Sequence, residues 1–228
     1  MNNARTSLYR FRDDSPFRGG LEAGGKFLVQ GSLVLGRHGC TVPASALYSE
    51  IDLDIAERQE SLIEDFSRSQ SCWFDNPHQH YKAQGYLFYG YGGEAQVYTE
   101  SDKFVHKICR ITQYGYLNRF FDRLIIENTI CPFASLEIEG FGRLEDGTFV
   151  VLLRQRFFRQ AKIMTESEIS LYMRCLGFRR EEVTEYHTVR YVSDSVIVED
   201  LHPSNIWMTE DDNVVIIDAA FYFNDIFL

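Results

Sequence analysis

Apolar residues recur with helical spacing in several stretches of this chain. In the segment Ile51 to Ser69, Ile55, Leu62 and Phe66 gather on one side, while acidic and basic side chains cover the other. This pattern predicts an amphipathic helix. A second helix is predicted over Thr112 to Thr129, where Pro132 ends it. A third is predicted over Thr165 to Leu176: a Thr165–Glu168 capping box begins it and Gly177 ends it. A shorter helix is predicted around Arg180 to Tyr186.

Short runs rich in β-branched and aromatic residues predict strands. Leu136 to Leu144 and Thr148 to Leu153 flank a Glu145-Asp146-Gly147 turn, which is typical of a hairpin. The segment Phe27 to Leu35 is compatible with a strand or a hairpin. The other predicted strands are the aromatic run that leads into Gly90, then Phe104 to Cys109, Ser195 to Val198 and Val214 to Ile217.

Oxygen-bearing side chains surround the last two predicted strands. The polar run Glu210 to Asn213 is predicted to be the turn that brings these two strands side by side. Asn205 and Asp218 would then face each other across the mouth of the hairpin, and Asp200 would lie on the loop leading into it. Such oxygen ligands suit a divalent metal ion, although Asp and Asn are also ordinary turn residues.

A glycine-rich segment precedes the strand that carries Lys107. Its sequence, Gly90-Tyr91-Gly92-Gly93-Glu94-Ala95-Gln96-Val97, matches the pattern G-x-G-x-x-G-x-V with alanine at the last glycine. Glycines at these positions let backbone N–H groups approach phosphate oxygens, but glycines are also common in hairpins. Lys107 has apolar neighbours, so it is either a cleft-facing ammonium that needs an anionic partner or a solvated residue on an edge strand. The glycines upstream and the aspartates downstream favour the first alternative, in which Lys107 faces a cleft.

Composition and net charge limit the classes of binding partner expected for this chain. Its 228 residues carry a net charge of −10, from 23 basic and 33 acidic side chains, which argues against nucleic acid or an anionic membrane as the main partner. The five cysteines form no C-x-x-C pair, and there is neither a signal-peptide core nor a long apolar run. These features are typical of reduced thiols in a cytoplasmic protein.

The order of the polar residues resembles that of the protein-kinase-like fold. The glycine segment, Lys107, the D-L-H-P-S-N run from Asp200 to Asn205, and the Ile-Asp pair ending at Asp218 follow one another as that fold requires. The resemblance is closest to the kinase domain of polyvalent proteins of phages and other mobile elements, and the D-L-H-P-x-N loop is similar to that of aminoglycoside phosphotransferase-like enzymes. It covers roughly residues 72–228.

The resemblance implies a role in phosphoryl transfer for the residues of the last third of the chain. Asp200 would orient and deprotonate an acceptor hydroxyl, and Asn205 and Asp218 would hold Mg²⁺. The acceptor, a small molecule or a protein, is not identified by the sequence.

The same resemblance implies a site for ATP in the preceding part of the chain. Gly90, Gly92, Gly93 and Val97 would cover the nucleotide, and Lys107 would neutralise its phosphates. Glu127, on the predicted helix Thr112 to Thr129, would hold Lys107, with a solvated surface acid as the alternative. Gln155 and Phe157 would belong to the hinge, whose backbone pairs with the adenine ring.

The implied fold is α+β and bilobal, with a five-stranded antiparallel N-lobe sheet plus a helix and a truncated C-lobe. The expected organisation is an extension over residues 1–50 without readable chemistry, a helix and N-lobe over 51–158, and a reduced C-lobe over 159–228. Only ten residues follow Asp218, which predicts that an activation segment is missing. Glu199 precedes Asp200 where an His-Arg pair is usual, and Ala219 follows Asp218 where Phe-Gly is usual.

Two functions of different classes are therefore compatible with the sequence. The first is an active, Mg-ATP-dependent phosphotransferase. The second is a pseudokinase, a nucleotide-binding or interaction module without phosphoryl transfer. A third interpretation treats the glycine segment and the hairpin as structural only. The oligomeric state is not indicated.

Overall fold

The computed structural model describes residues 13–42, 51–159, 161–183, 188–217 and 219–224. Within these ranges, no helix combines the length and the apolar character needed to cross a membrane. The helices are α1 (Arg18–Ala23), α2 (Gly25–Arg37), α3 (Leu53–Ser69), α4 (Pro77–Ala83), α5 (Leu117–Ile130) and α6 (Glu166–Cys175). The strands are β1 (Trp73–Phe74), β2 (Leu87–Tyr91), β3 (Ala95–Thr99), β4 (Phe104–Arg110), β5 (Glu137–Arg143), β6 (Phe149–Arg156), β7 (Lys162–Ile163), β8 (Arg179–Val183), β9 (Thr188–Val192), β10 (Val196–Glu199), β11 (Ile206–Met208), β12 (Val214–Ile216) and β13 (Ala220–Phe223).

The largest sheet has six strands in the order β1-β5-β6-β4-β3-β2. Five of them, β2 to β6, pair antiparallel. Four of these five, β2, β4, β5 and β6, overlap strands predicted from the sequence, and the sheet has one strand more than the five that were expected. The sixth, β1, pairs in parallel with β5. Gly140 and Gly142 permit this pairing, because a Cβ at either position would overlap the backbone carbonyl of Cys72 or of Phe74.

The predicted central helix is confirmed as α5, with a later start than expected. A short 3₁₀ turn, Thr112–Tyr114, comes first, and Gly115 then adopts a φ of +68°. This left-handed residue separates the turn from the helix, which begins at Leu117. The capping box is also confirmed, since Thr165 and Glu168 cap each other at the start of α6.

Two predictions of element type were wrong. Phe27 to Leu35, expected to be a strand or a hairpin, lies in α2, whose buried residues Leu28, Gly31, Ser32 and Leu35 follow the spacing of one helical face. The short helix expected around Arg180 to Tyr186 is instead strand β8, which pairs with β9; residues 184–187 lie outside the described ranges. Tertiary pairing outweighs local propensity in this second case.

The hairpin around the Glu210 to Asn213 turn uses a different first strand from the expected one. β12 pairs with β11, and β7 completes this three-stranded sheet. β10 pairs with β9 and β13 in a separate four-stranded sheet, ordered β13-β10-β9-β8. The expected pairing of Ser195 to Val198 with Val214 to Ile217 was wrong, because the apolar run directly after Asn205 lies closer to the turn and closes the hairpin.

One apolar core joins the N-terminal helices, α5, the inner face of the large sheet and the two C-terminal sheets. A smaller cluster covers the other face of the large sheet, beneath α4. The start of α1 packs against β13, the last described strand. There the rings of Phe17 and Phe223 meet edge to face, with centroids 4.9 Å apart. This core fixes α5 against the sheet that carries Lys107.

We expect Gly20→Ala to destabilise the protein. A Cβ at Gly20 would overlap the Ile125 carbonyl and the Thr129 hydroxyl on α5, so one of the two helices must shift. Overpacking of this kind costs about 1–3 kcal/mol, which exceeds the gain in helix propensity from glycine to alanine. The measurement is the thermal unfolding midpoint.

Gly19→Ala is the matched control in the same helix. A Cβ at Gly19 meets no atom within 4 Å, so only the propensity gain of up to about 1 kcal/mol applies. Equal midpoints for the two variants would show that α1 does not pack closely on α5.

Candidate functional site

The loop from Asp200 to Asn205 is held by hydrogen bonds of Asn205. The side-chain Nδ2 of Asn205 donates to the carbonyl oxygen of Asp200 at 2.9 Å, and its backbone N–H donates to the His202 carbonyl at 2.8 Å. The Asn205 carbonyl accepts from the backbone N–H of Ile217 at 2.9 Å. Asn205 is buried and therefore ties the loop to the strand that leads towards Asp218.

Asp200 has a backbone conformation that is uncommon for a residue with a side chain. Its φ is +57°, in the left-handed region that costs energy for non-glycine residues and that Asp and Asn tolerate best. The Asn205 amide holds this conformation through the carbonyl of Asp200. The carboxylate is largely exposed, and His202 Nε2 lies 3.5 Å from its Oδ1. The loop thus holds the backbone of Asp200 in place and presents its carboxylate to the surroundings.

The second expected metal ligand, Asp218, lies outside the described residues. Its neighbour Ile217 pairs with Asn205 across the hairpin mouth, so the chain returns to the Asn205 loop directly before Asp218. In the described part of the chain, no group of three or more His, Cys, Asp or Glu side chains is placed to hold a metal ion. The metal-binding role of Asn205 and Asp218 remains a prediction.

The glycine segment forms the turn between β2 and β3. The backbone N–H of Gly92 donates to the Ala95 carbonyl at 2.9 Å, and Gly90 lies opposite Val97 across the two strands. A Cβ at Gly90, Gly92 or Gly93 would meet no protein atom within 4 Å. The segment is therefore open on the side where these side chains would project.

Lys107 lies in the interior of the large sheet. It is paired with Val97 of β3 on one side and with Leu153 of β6 on the other, and it is half-buried. The alternative of a solvated lysine on an edge strand was therefore wrong. Val97 is also the last residue of the glycine segment, so the strand that carries Lys107 lies directly beside the end of that segment.

Glu127 is buried in α5, with 2 % of its surface exposed. Its Oε2 lies 3.4 Å from Arg123 Nε one helical turn earlier, and Arg123 Nη1 lies 3.5 Å from Glu94 Oε2 in the glycine segment. The alternative of a solvated surface acid was wrong. Sequence analysis missed Arg123, although Arg123 and Glu127 have the i, i+4 spacing of a helical ion pair.

Several charges converge on the space between β4 and α5. Burial raises the pKa of the Cys109 thiol to about 11, while the positive charges of Lys107 and Arg123 act in the opposite direction. Burial disfavours the charged form of Arg123, but the carboxylates of Glu127 and Glu94 outweigh burial and raise the pKa of Arg123. Arg123 therefore stays charged in the interior and links α5 to the glycine segment.

The two expected hinge residues have different environments. Gln155 lies within β6 and is buried, and its Nε2 donates to the Ala134 carbonyl at 2.6 Å. Phe157 follows the strand, and its backbone N–H donates to the Lys103 carbonyl at 2.8 Å. The rings of Tyr89 and Phe157 meet edge to face with centroids 6.1 Å apart. The backbone N–H of Phe157 is thus engaged within the protein, while its ring lies beside the strand that enters the glycine segment.

One comparison with known proteins identifies a family that this chain matches. A family model described as serine/threonine/tyrosine kinase found in polyvalent proteins matches residues 56–225. That range contains the glycine segment, Lys107, Glu127 and the loop from Asp200 to Asn205. Neither the curated proteins nor the solved structures contain a match to the chain.

Proposed function

Since the chain belongs to the family of serine/threonine/tyrosine kinases found in polyvalent proteins, we propose that it transfers the γ-phosphoryl group of Mg-ATP to a hydroxyl acceptor. In this proposal the six-stranded sheet and α5 form the nucleotide-binding lobe. The sheets β13-β10-β9-β8 and β12-β11-β7, with α6, form the second lobe, which carries the catalytic loop.

The observation that carries the proposal is the Asn205-centred loop. Asn205 holds the Asp200 carbonyl with its side chain and Ile217 with its backbone. A single buried residue therefore fixes the proposed base and the approach to the proposed metal ligand Asp218. Because Nδ2 is engaged with Asp200, the atom that would coordinate Mg²⁺ is Oδ1, an oxygen of the kind this ion prefers.

Asp200 supplies the proposed general base. Its carboxylate would accept the proton of the acceptor hydroxyl while the hydroxyl oxygen forms a bond to the γ-phosphorus. The Asn205 hydrogen bond keeps the backbone of Asp200 in place, so the carboxylate needs little reorganisation during the reaction. When bound, Mg²⁺ would neutralise charge on the phosphate oxygens.

The nucleotide side of the proposed site is formed by the glycine segment and Lys107. At Gly90, Gly92 and Gly93 the Cβ position is open, so phosphate oxygens could approach the backbone of this segment closely. Lys107 supplies a positive charge from a strand held on both sides. Arg123 braces the segment through Glu94, so the loop and the helix would respond together to nucleotide.

We expect Mg-ATP to raise the thermal unfolding midpoint of the chain. A ligand at one hundred times its dissociation constant stabilises the folded state by about 2.7 kcal/mol. For a protein of this size, each kcal/mol shifts the midpoint by roughly 2–4 °C. The measurement is thermal unfolding with ATP alone, with Mg²⁺ alone and with both.

Asp218→Asn is expected to reduce the difference between ATP alone and Mg-ATP, because an amide replaces a charged metal ligand. An unchanged midpoint for the wild-type chain in millimolar Mg-ATP would exclude nucleotide binding and with it the proposed function.

A further inference from the structure

Arg119, in the first turn of α5, is a buried arginine that forms no ion pair with an Asp or Glu side chain of the described residues. Only 9 % of its surface is exposed. Its Nη1 donates to the Tyr114 carbonyl at 3.4 Å, and its Cζ lies 4.6 Å from the centroid of the Tyr116 ring. Because arginine stays protonated even in the interior, these contacts leave much of a buried positive charge uncompensated.

The uncompensated part of Arg119 is one edge of its guanidinium group. Nε and Nη2 are both covered from solvent, and neither has a hydrogen-bond partner in the described part of the chain. The N–H groups of these two atoms point in the same direction, and together they can donate to two oxygens of one oxyanion. Buried donors without a partner are rare, and a bound ion is one of the few explanations for them. The unpaired edge therefore matches an oxyanion.

Two tyrosines lie near this guanidinium group. Burial lowers the pKa of Arg119, while the side chains of Tyr116 and Tyr222 act in the opposite direction. The Tyr116 hydroxyl accepts a hydrogen bond from the Asp52 N–H at 2.7 Å, which leaves its own proton for another acceptor. A phosphate group has enough oxygens for the guanidinium edge and for a hydroxyl at once. This favours a phosphate group over a carboxylate.

The backbone at the start of α5 does not supply this site. The N–H groups of Leu117 and Asn118 donate to Gln59 Oε1 at 2.8 and 3.3 Å, so they are already engaged by α3. An anion at this end of the helix would be held by the Arg119 side chain. The candidate site therefore depends on a single residue that can be exchanged.

Arg119 lies close to the protein surface. Its Nη1 and the Cδ1 of Ile51 both lie within 4 Å of the point where a Cβ at Gly115 would sit. Ile51 is 42 % exposed, and Tyr222 is half-buried. Movement of surface side chains, without a change of fold, is thus enough to admit a small anion.

We propose that Arg119 forms a second oxyanion site, which takes a phosphate group on its Nε and Nη2 edge. The group is either inorganic phosphate or the end of a phosphate monoester. The site shares no residue with Gly90 to Gly93 and Lys107, and the inference does not depend on the proposed function. Since α5 carries Glu127 and packs against β13, an anion bound here would act on the helix that joins the two parts of the fold.

Arg119→Met tests whether the charge of Arg119 is uncompensated. In buffer without phosphate or sulfate, we expect the full-length variant to unfold at the same temperature as the wild-type chain or at a higher one. Methionine retains the apolar packing and removes an unpaired buried charge. A clearly lower midpoint would show that the contacts with Tyr114 and Tyr116 already stabilise the charge, and would overturn the proposal.

Titration with inorganic phosphate and with phenyl phosphate, at constant ionic strength, tests binding. At ten times the dissociation constant, the unfolding midpoint of the wild-type chain should rise by roughly 3–6 °C. Arg119→Met should show no saturable rise, and Arg119→Lys should bind at least tenfold more weakly because lysine lacks the planar pair of donors. Arg58→Met, an exchange on the exposed face of α3, is the matched control and should respond as the wild-type chain does.

The two probes distinguish the two sources of the phosphate group. A saturable response that depends on Arg119 and is seen with inorganic phosphate alone would assign the site to the free ion. A stronger response to phenyl phosphate would assign it to a monoester. Equal responses in the wild-type chain and Arg119→Met would indicate an adventitious ion only, or phosphate at the nucleotide residues, and would overturn the inference, as would no saturable response to either probe. Mg-ATP should stabilise Arg119→Met and the wild-type chain equally, so this measurement tests the proposed function separately.

Discussion

Asp200→Asn is expected to lower phosphoryl transfer by roughly two to four orders of magnitude, the usual contribution of a positioned general base. Asparagine tolerates the left-handed backbone of Asp200 (φ +57°) as well as aspartate does, so the substitution removes the proton acceptor without straining the loop. The Asn205 hydrogen bond goes to the backbone carbonyl and is retained. Affinity for Mg-ATP should change by no more than about twofold, because the carboxylate contacts the acceptor and not the nucleotide.

Asp212→Asn provides the matched control for this experiment. Asp212 also has a positive φ, +59°, but it lies exposed on the β11–β12 turn, so its exchange should leave turnover unchanged. The measurement is the rate of ADP release or of autophosphorylation together with nucleotide affinity. Equal turnover in Asp200→Asn and the wild-type chain would mean that Asp200 is only a turn residue. The pseudokinase interpretation would then be preferred.

Lys107→Met is expected to weaken both nucleotide binding and turnover. The lysine charge meets the phosphates in the ground state and in the transition state alike, so its loss affects both quantities. We expect the dissociation constant of Mg-ATP to rise about tenfold and turnover to fall by roughly two to three orders of magnitude, as for removal of one preorganised electrostatic group. Methionine retains the apolar part of the side chain and keeps the packing within the sheet.

Lys103→Met is the control for Lys107. Lys103 is exposed on the turn before β4. Its hydrogen bond with Phe157 is made by its backbone carbonyl, which Lys103→Met retains, so nucleotide binding and turnover should stay intact. Thermal unfolding of both variants shows whether either has lost its fold. Unchanged Mg-ATP affinity in a folded Lys107→Met variant would contradict the assignment of Lys107 to the phosphates.

Local sequence signals predicted the elements that local interactions determine. Examples are the amphipathic helices α3 and α5, the Thr165–Glu168 capping box and the Glu145 to Gly147 turn. In each of them, the residues that produce the signal lie within a few positions of one another in the sequence. The same holds for the glycine segment and Lys107, whose relation follows from two consecutive hairpins. These signals need no knowledge of distant partners.

Strand partners required information that no local window contains. β10 looks like the first half of a hairpin, but it lies between β9 and β13, and β13 comes after the whole β11–β12 hairpin. Likewise β8 has charged residues at four of its five positions and becomes a strand by pairing with β9. The burial of Glu127 depends on Arg123 and on the sheet packed over α5. Pairing and packing across the fold decide such cases.

The contact between α1 and α5 has a consequence for the order of folding. Asn128 Nδ2 donates to the Gly20 carbonyl across 108 positions of sequence, and Phe17 packs against Phe223 near the other end of the described chain. Closing loops of this length costs more chain entropy than forming the hairpins of the large sheet, and such distant contacts slow folding. During synthesis on a ribosome, α1 emerges long before α5 and the last strand. We therefore expect α1, which is synthesised before α5, to be among the last helices to dock.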